Sequence, residues 1–412
     1  MSDSFKILNG GYSHSSPQFV KGFKNTLKSQ SGQNYIDMTM GAGSLIFGHA
    51  DEEIVEAIEQ QAKCSAIFLQ NNPVIQSLGQ KVSEFLPDSL NNYIFCNTGS
   101  EATQRAVRLA RAATGKMHIA SFQGGWHGMN EWTLLDDGGR FGETQIKSYA
   151  GIPCSALEYS LLLPYNDESI WPTLENNADK LAAIIIEPIQ GSNPQPEIKS
   201  YLTKLVSYCK SLGILVIFDE IITGFRVAKG GATEVFNLEV DIVTYGKVLG
   251  GGLPVGLVAC NQSVYENTFA DPTKSILTGG TFSANPLSAA AGLATLNKLN
   301  EQVYTQIADL SDYFRNSLNR EFEKFDIPFM ANGYKSISRI YFTNSPIQNR
   351  KQRDALELPA DVQSKFRYEL WKVGIIWPTN GIVCMPMTQN ISTLDIVINH
   401  AVNSAKKVLT FK

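Results

Sequence analysis

Lys247 stands where a lysine can do covalent chemistry. It follows a short apolar run, Asp241 to Tyr245, and precedes three consecutive glycines, Gly250 to Gly252, in the segment TYGKVLGGGLPVG (244–256). An amine at the end of a buried strand reaches into a cleft and loses part of its hydration there. Desolvation lowers its pKa, and the neutral amine can form a Schiff base with an aldehyde. The competing reading is a surface lysine before a glycine-rich turn, so other segments must decide.

Upstream, GILVIFDEIITGFR (213–226) carries the β-branched run Ile214 to Phe218, which predicts a strand buried on both faces. Asp219 and Glu220 follow at its carboxyl end, where open α/β sheets place their ligand crevices. A carboxylate there can cap a helix or bind a metal. Beside Lys247 a third role fits better: a buried carboxylate keeps a pyridine nitrogen protonated, which pyridoxal phosphate chemistry requires of its electron sink. In FCNTGSEATQRAVRLARAATGK (95–116), a tight turn at Asn97–Ser100 leads into a helix with Ala102, Ala106, Leu109, Ala110 and Ala113 on one face. Gly99 allows close backbone approach, and the free N–H groups of the first turn attract a phosphate; ordinary capping explains small polar residues equally well. Trp126, in FQGGWHGMNEW (122–132), is either a flat platform for an aromatic ring or a core residue. Thr281, in LTGGTFSANPLSAAAGLATL (277–296), is either a phosphate donor or an ordinary loop threonine.

In this order and spacing, the five segments resemble the class III aminotransferases of fold type I, and within them the branch containing glutamate-1-semialdehyde aminomutase. The resemblance runs from Gly10-Gly11 almost to the C-terminus. It implies dependence on pyridoxal 5'-phosphate, with Lys247 as the covalent anchor and Asp219 paired with the pyridine nitrogen. Gly99 and Ser100 would hold the phosphate, and Trp126 would stack on the ring where the family has Tyr or Phe. Thr281 would reach the phosphate of the other subunit of a homodimer with shared sites. Glu187, in IIIEPIQGSNPQP (184–196), matches the family's Glu-Pro motif. The polar contact to the ring hydroxyl lies among Gln190, Ser192 and Asn193.

The elements that must position these groups follow from the periodicity. Between about residues 51 and 300, short apolar strands alternate with helices, among them Leu181–Ile186, Ile198–Ser211, Ile214–Phe218 and Ile242–Tyr245. That alternation predicts an α/β fold, a mostly parallel sheet flanked by helices. A helix at Val303–Phe325, a strand at Ser338–Thr343, a helix at Ala360–Val373 and a strand around Gly381–Met385 predict a smaller α+β domain. The expected division is a large cofactor-binding domain, 51–300, and a small domain built from 1–50 and 301–412. Leu134–Ser160 reads as irregular loop.

Composition suits an enzyme of this size, with 43% hydrophobic and 18% charged residues in 412. A net charge of -4 and a pI near 5.8 give no electrostatic reason to expect nucleic acid or an anionic membrane. No apolar run approaches the roughly 20 residues that span a bilayer. The N-terminus lacks the pattern of a signal peptide, and the six cysteines form no CxxC pair. A cytoplasmic protein without a metal site is the expectation.

Departures from the aminomutase pattern bear on the substrate. The aminomutase places an arginine just after its Ser-Pro to grip the substrate carboxylate, whereas Gln18 and Phe19 follow Pro17 here. In MTMGAGSLIFGHA (38–50), Ala42 takes the position of a tryptophan beside the substrate, and CMPMTQNISTLD lacks an expected acidic residue. Without a bidentate charge-assisted pair, a small dicarboxylate-like substrate binds poorly. The expectation is ping-pong amino transfer between an amine or amino acid donor and a different carbonyl acceptor. Three alternatives stand beside it: an intramolecular aminomutase, a non-catalytic relative that keeps the fold, and a dehydrogenase-like nucleotide binder. The last lacks a GxGxxG after an early strand.

Overall fold

The computed structural model describes residues 17–136, 147–148, 150–195 and 197–410. Gly10-Gly11, where the resemblance begins, lies outside them. At the centre is a seven-stranded sheet in the order Asn92–Cys96, Gly256–Cys260, Ile242–Gly246, Leu215–Asp219, Leu181–Ile186, His118–Phe122 and Ser160–Leu163. The last five pair in parallel, and Gly256–Cys260 runs antiparallel to both of its neighbours. Asn92–Cys96 therefore points the same way as the parallel strands.

Burial explains the strand composition. Every residue of Leu181–Ile186 is fully buried, so this strand carries no polar alternation. The Gly99–Thr114 helix packs on the strands Ile242–Gly246 and Gly256–Cys260 through Ala102, Ala106, Leu109 and Ala110, all buried, and their small side chains let it lie close. Gly115 ends that helix in a left-handed conformation at φ 70°, which a glycine adopts without steric cost.

Two smaller sheets flank this centre. Phe19–Phe23, Thr26–Ser29 and Asn34–Asp37 form antiparallel pairs, and Ile375–Ile376 joins Asn34–Asp37 in parallel. Met330–Tyr334, Ile337–Tyr341 and Ile382–Cys384 make a three-stranded antiparallel sheet. Helices Glu301–Lys324, Ala360–Lys372 and Ile391–Thr410 accompany these strands. Among the described residues the Leu134–Ser160 stretch is not wholly irregular: Leu135–Asp136 pairs with Lys147–Ser148, and a short helix spans Cys154–Glu158. No helix of the described residues is long and apolar enough to cross a membrane.

The direction of the strands has a chemical consequence. The carboxyl ends of Asn92–Cys96, His118–Phe122, Leu181–Ile186, Leu215–Asp219 and Ile242–Gly246 share one edge of the sheet. Onto that edge the chain delivers Gly99 and Ser100, Trp126, Glu187, Asp219 and Lys247, one group per strand end.

Candidate active site

A cavity of about 310 Å³ opens at this edge. Lys247, Asp219, Glu187, Trp126, Gly99 and Ser100 all line it, as do Thr98, His127, Ile221 and Ile222. Six of the seven residues singled out in the sequence are thus brought together. Thr281 is not among them: in its own chain it is exposed and lies away from this cavity.

Lys247 is the first residue after the strand Ile242–Gly246 and opens the 3-10 turn Lys247–Gly250. Its φ of 45° is left-handed, a conformation that costs a non-glycine residue roughly 1–3 kcal/mol and persists where the surroundings enforce it. The side chain is half-buried. Burial holds its amine below the ordinary lysine range, and the Arg226 guanidinium acts in the same direction. Cys384, Glu187 and Asp219 oppose the shift without cancelling it.

Asp219 is buried with three protein donors around it. One carboxylate oxygen accepts the Ile221 N–H at 3.1 Å and the Thr244 hydroxyl at 3.0 Å, and the other lies 2.7 Å from Nδ1 of His127. A carboxylate can only accept there, so the imidazole carries its proton on Nδ1. His127 was not singled out in the sequence. Its position next to Trp126 in GGWHG was the only available signal, and a single histidine beside a glycine does not reveal a partner 92 positions away. Its Nε2 is buried and has no partner among the described residues.

Glu187 works through the backbone. One oxygen accepts the Trp126 N–H at 2.7 Å and the other accepts the Gly191 N–H at 3.0 Å. Burial raises its carboxyl above the usual range, against the lowering effect of His127 and these two N–H groups. It thereby ties the Trp126 turn to the turn after Ile186. Trp126 is 51% exposed and lines the cavity. None of Gln190, Ser192 and Asn193 lines the cavity: Gln190 donates to Gln123 O at 2.9 Å, Ser192 donates to Gly124 O at 2.7 Å, and Asn193 accepts from Tyr341 at 2.8 Å.

The start of the Gly99–Thr114 helix is built for an anion. Thr98 accepts the Glu101 N–H through its hydroxyl at 3.1 Å and the Ala102 N–H through its carbonyl at 3.0 Å. The N–H groups of Gly99 and Ser100 remain for a ligand at the positive end of the helix dipole. A Cβ at Gly99 would come within 3.1 Å of Ile221, which also lines the cavity. A lysine with a lowered pKa, a buried carboxylate and an anion cradle in one cavity fit a phosphorylated aromatic aldehyde.

Gly128 closes this cradle from outside. A Cβ there would lie 2.3 Å from the Ser100 hydroxyl and 2.7 Å from its Cα, and the φ of 82° disfavours any side chain. Gly128→Ala is expected to destabilise the protein by about 1–3 kcal/mol and to weaken cofactor retention. Thermal unfolding with and without added cofactor measures both, and an unchanged melting temperature and cofactor content would remove Gly128 from the account.

Comparison with known proteins agrees with the geometry. The family model "Aminotransferase class-III" matches residues 10–331. The chain belongs to the class-III aminotransferases. It is accordingly a pyridoxal phosphate-dependent enzyme of the aminotransferase type with the fold type I architecture. A glutamate-1-semialdehyde 2,1-aminomutase of Methanosphaera stadtmanae is 36% identical over 338 residues, covering 81% of this chain and 79% of that protein. One from Thermus thermophilus is 33% identical over 381 residues, covering 92% and 88%. Among solved structures, an omega-transaminase from Sphaerobacter thermophilus superposes with a TM-score of 0.89 at 26% identity, covering 98% of this chain and 94% of that one. The non-catalytic and nucleotide-binding alternatives are set aside by this membership.

Proposed function

We propose that this class-III enzyme transfers an amino group between an amine or amino acid donor and a separate carbonyl acceptor, in two half-reactions at one site. The observation that carries the reading is the joint placement of Lys247 and Asp219 in the cavity that also holds the free N–H groups of Gly99 and Ser100. Pyridoxal phosphate, when bound, supplies the electron sink that acidifies the carbon bearing the amine. Lys247 would hold the cofactor covalently through its amine, and the same amine would carry a proton to and from the substrate carbon. A lowered amine pKa suits both roles, because the neutral amine is the nucleophile and the base. Asp219 would keep the cofactor's ring nitrogen protonated, and His127 with Thr244 fixes the carboxylate for that task. Glu187 keeps the Trp126 turn in place, where the indole would be available to the cofactor ring.

Transfer between two molecules, rather than within one, is supported by the residues where the aminomutase resemblance predicts substrate contacts. Gln18 and Phe19 offer no cation. Ala42 lies in the left-handed turn Met40–Gly43, which packs against the Lys247–Gly250 turn, and its methyl leaves room where an indole is expected. The names of the curated relatives favour the second reading, an intramolecular aminomutase. Mixing the yellow enzyme with a panel of amines and following its spectrum separates them. Conversion to the aminated cofactor with release of a carbonyl product supports transfer, whereas rearrangement of an amino aldehyde without any external donor supports the aminomutase.

The same reading takes the active unit as a cytoplasmic homodimer, with residues 51–300 as the cofactor domain and 1–50 with 301–412 as the small one. The pairing of Asn34–Asp37 with Ile375–Ile376 supports that division. Exposed Thr281, on a loop with Leu277 and Phe282 also exposed, supports a partner's pocket as its destination. Lys247→Ala and Thr281→Trp are each expected to be inactive, and their mixture under subunit exchange is expected to recover about a quarter of wild-type activity, because one site in each heterodimer is whole and heterodimers form half the population. An active monomer by light scattering, or no recovery despite proven exchange, overturns the shared site.

A further inference from the structure

The loop that carries Thr281 is tied to the body of the fold by two arginines that the chemistry above does not use. Ser275, Leu277 and Gly279 to Phe282 are exposed. Behind them, Thr278, Gly279 and Ser283 share a cavity of about 660 Å³ with the edge strand Asn92–Cys96. Arg108 donates to the Leu277 carbonyl at 2.8 Å. Arg105, one turn earlier on the same helix, donates through Nη2 to the Gly279 carbonyl at 3.4 Å and to the Ser283 hydroxyl at 3.1 Å. Among the described residues, no other hydrogen bond joins 275–283 to the fold beyond the Asn285 cap. Ala284 ends the stretch at a φ of 59°, a left-handed setting that a non-glycine residue keeps only where its surroundings enforce it.

Arg105 reaches the other way as well. It is 7% exposed, its Nη1 donates to the Phe95 carbonyl at 2.9 Å, and its Nη2 pairs with Glu101 at 3.2 Å. Nη2 has two N–H bonds for three acceptors, so Glu101 and the loop share it. Glu101 in turn accepts the Asn97 N–H at 3.2 Å and the Asn97 side-chain amide at 3.2 and 3.3 Å. Asn97 lines the active-site cavity beside Gly99 and Ser100, whose N–H groups are left for a phosphate. The first two turns of the Gly99–Thr114 helix thus hold a phosphate cradle at one end and the anchor of the Thr281 loop at the other. A guanidinium suits this place, because one rigid fork meets a carbonyl, a carboxylate and the loop together, whereas an ammonium acts as a point charge on a flexible stem.

We infer that Arg105 is a positioning residue: it locks the loop 275–283 onto the cradle helix, in the setting from which Thr281 completes the phosphate site of a second copy of this chain. This rests on the shared-site reading. Arg105 lines no part of the cavity itself and acts through the loop. Loss of the fork frees the loop and removes one hydrogen bond to a phosphate in the neighbour's cavity, while every other contact to the cofactor stays.

The test titrates the full-length protein with pyridoxal phosphate and with pyridoxal, which lacks the phosphate, and follows the yellow absorbance. Arg105→Gln is expected to weaken binding of the phosphorylated form by at least roughly tenfold, the loss of one hydrogen bond to a charged group, and to leave that of pyridoxal within about twofold. Arg105→Lys keeps the charge beside Glu101 without the fork and should restore only part of the loss. Ser283→Ala leaves the helix untouched; it should lose a smaller factor with the same selectivity and answers the question if Arg105→Gln fails to fold. Hydrogen exchange in Arg105→Gln should quicken at 275–283 and not in the Gly99–Thr114 helix. Mixed dimers locate the effect. When Arg105→Gln pairs with Lys247→Ala, the one site able to bind covalently receives its loop from a chain with Arg105 intact, so its affinity should match the wild type. When the wild type pairs with a chain carrying both Arg105→Gln and Lys247→Ala, that site receives a freed loop and should be weakened. Equal weakening of pyridoxal phosphate and pyridoxal, no weakening of either, or full recovery in Arg105→Lys would each overturn the positioning role, whatever the Thr281 mixture shows. A phosphate-selective loss that follows the site's own chain would instead overturn the shared site, and with it the role across subunits.

Discussion

Lys247→Ala is expected to lower kcat by at least roughly 10²–10⁴-fold, the range for losing one positioned proton-transfer group, and further because the covalent anchor is lost with it. The fold should survive. The lysine costs stability where it stands, since its amine is desolvated and the Arg226 guanidinium adds to the penalty. Linkage gives the sign. The folded-state value is lowered, so the unfolded chain binds the proton more readily, and stability rises with pH between the lowered folded value and the ordinary value of 10.5. The cofactor-free alanine variant should melt no lower than the wild type at neutral pH and should lose that rise at alkaline pH. Steady-state kinetics and thermal unfolding check the two parts. Turnover within tenfold of the wild type would remove Lys247 from the chemistry.

Asp219→Asn is expected to slow both half-reactions by at least roughly a hundredfold, about 2.7 kcal/mol in barrier. The substitution preserves the shape and the acceptor for Ile221 and Thr244 but removes the charge. A neutral amide does not hold a proton on a pyridine nitrogen, and the electron sink weakens accordingly. The His127 contact will also rearrange, because Nδ1 and the amide compete to donate. Stopped-flow spectra of each half-reaction separate this from a folding defect, which melting temperature reports. Rates within about threefold of wild type, about 0.7 kcal/mol, would contradict the role.

How much of this was legible in the sequence depends on the range of the signal. The strand Leu181–Ile186 and the helix Ala360–Lys372 follow from local apolar pattern, which burial on both faces or on one face writes directly into the chain. The end of the Ile242–Gly246 strand and the Thr98–Gly99 helix start are equally local, so Lys247, Gly99 and Ser100 were within reach. The three N-terminal strands and the Ile391–Thr410 helix went unassigned, although Leu394, Val397, Ile398 and Ala401 are buried at helical spacing. What local pattern does not carry is pairing at a distance. His127 meets Asp219, Tyr341 meets Asn193 and Arg339 meets Glu357 only after the sheets form, and each looks like an ordinary polar residue in isolation. Glu187 was placed by motif alone, and its hydrogen bonds to the Trp126 and Gly191 backbone assign it a positioning task.

The most direct test of the central claim, that this cavity anchors pyridoxal phosphate through Lys247, is reductive trapping. Borohydride treatment of the yellow protein, followed by proteolysis and mass spectrometry, should find a pyridoxyl group on the peptide carrying Lys247, stoichiometric with bound cofactor. A label on another lysine, or none despite bound cofactor, would contradict it.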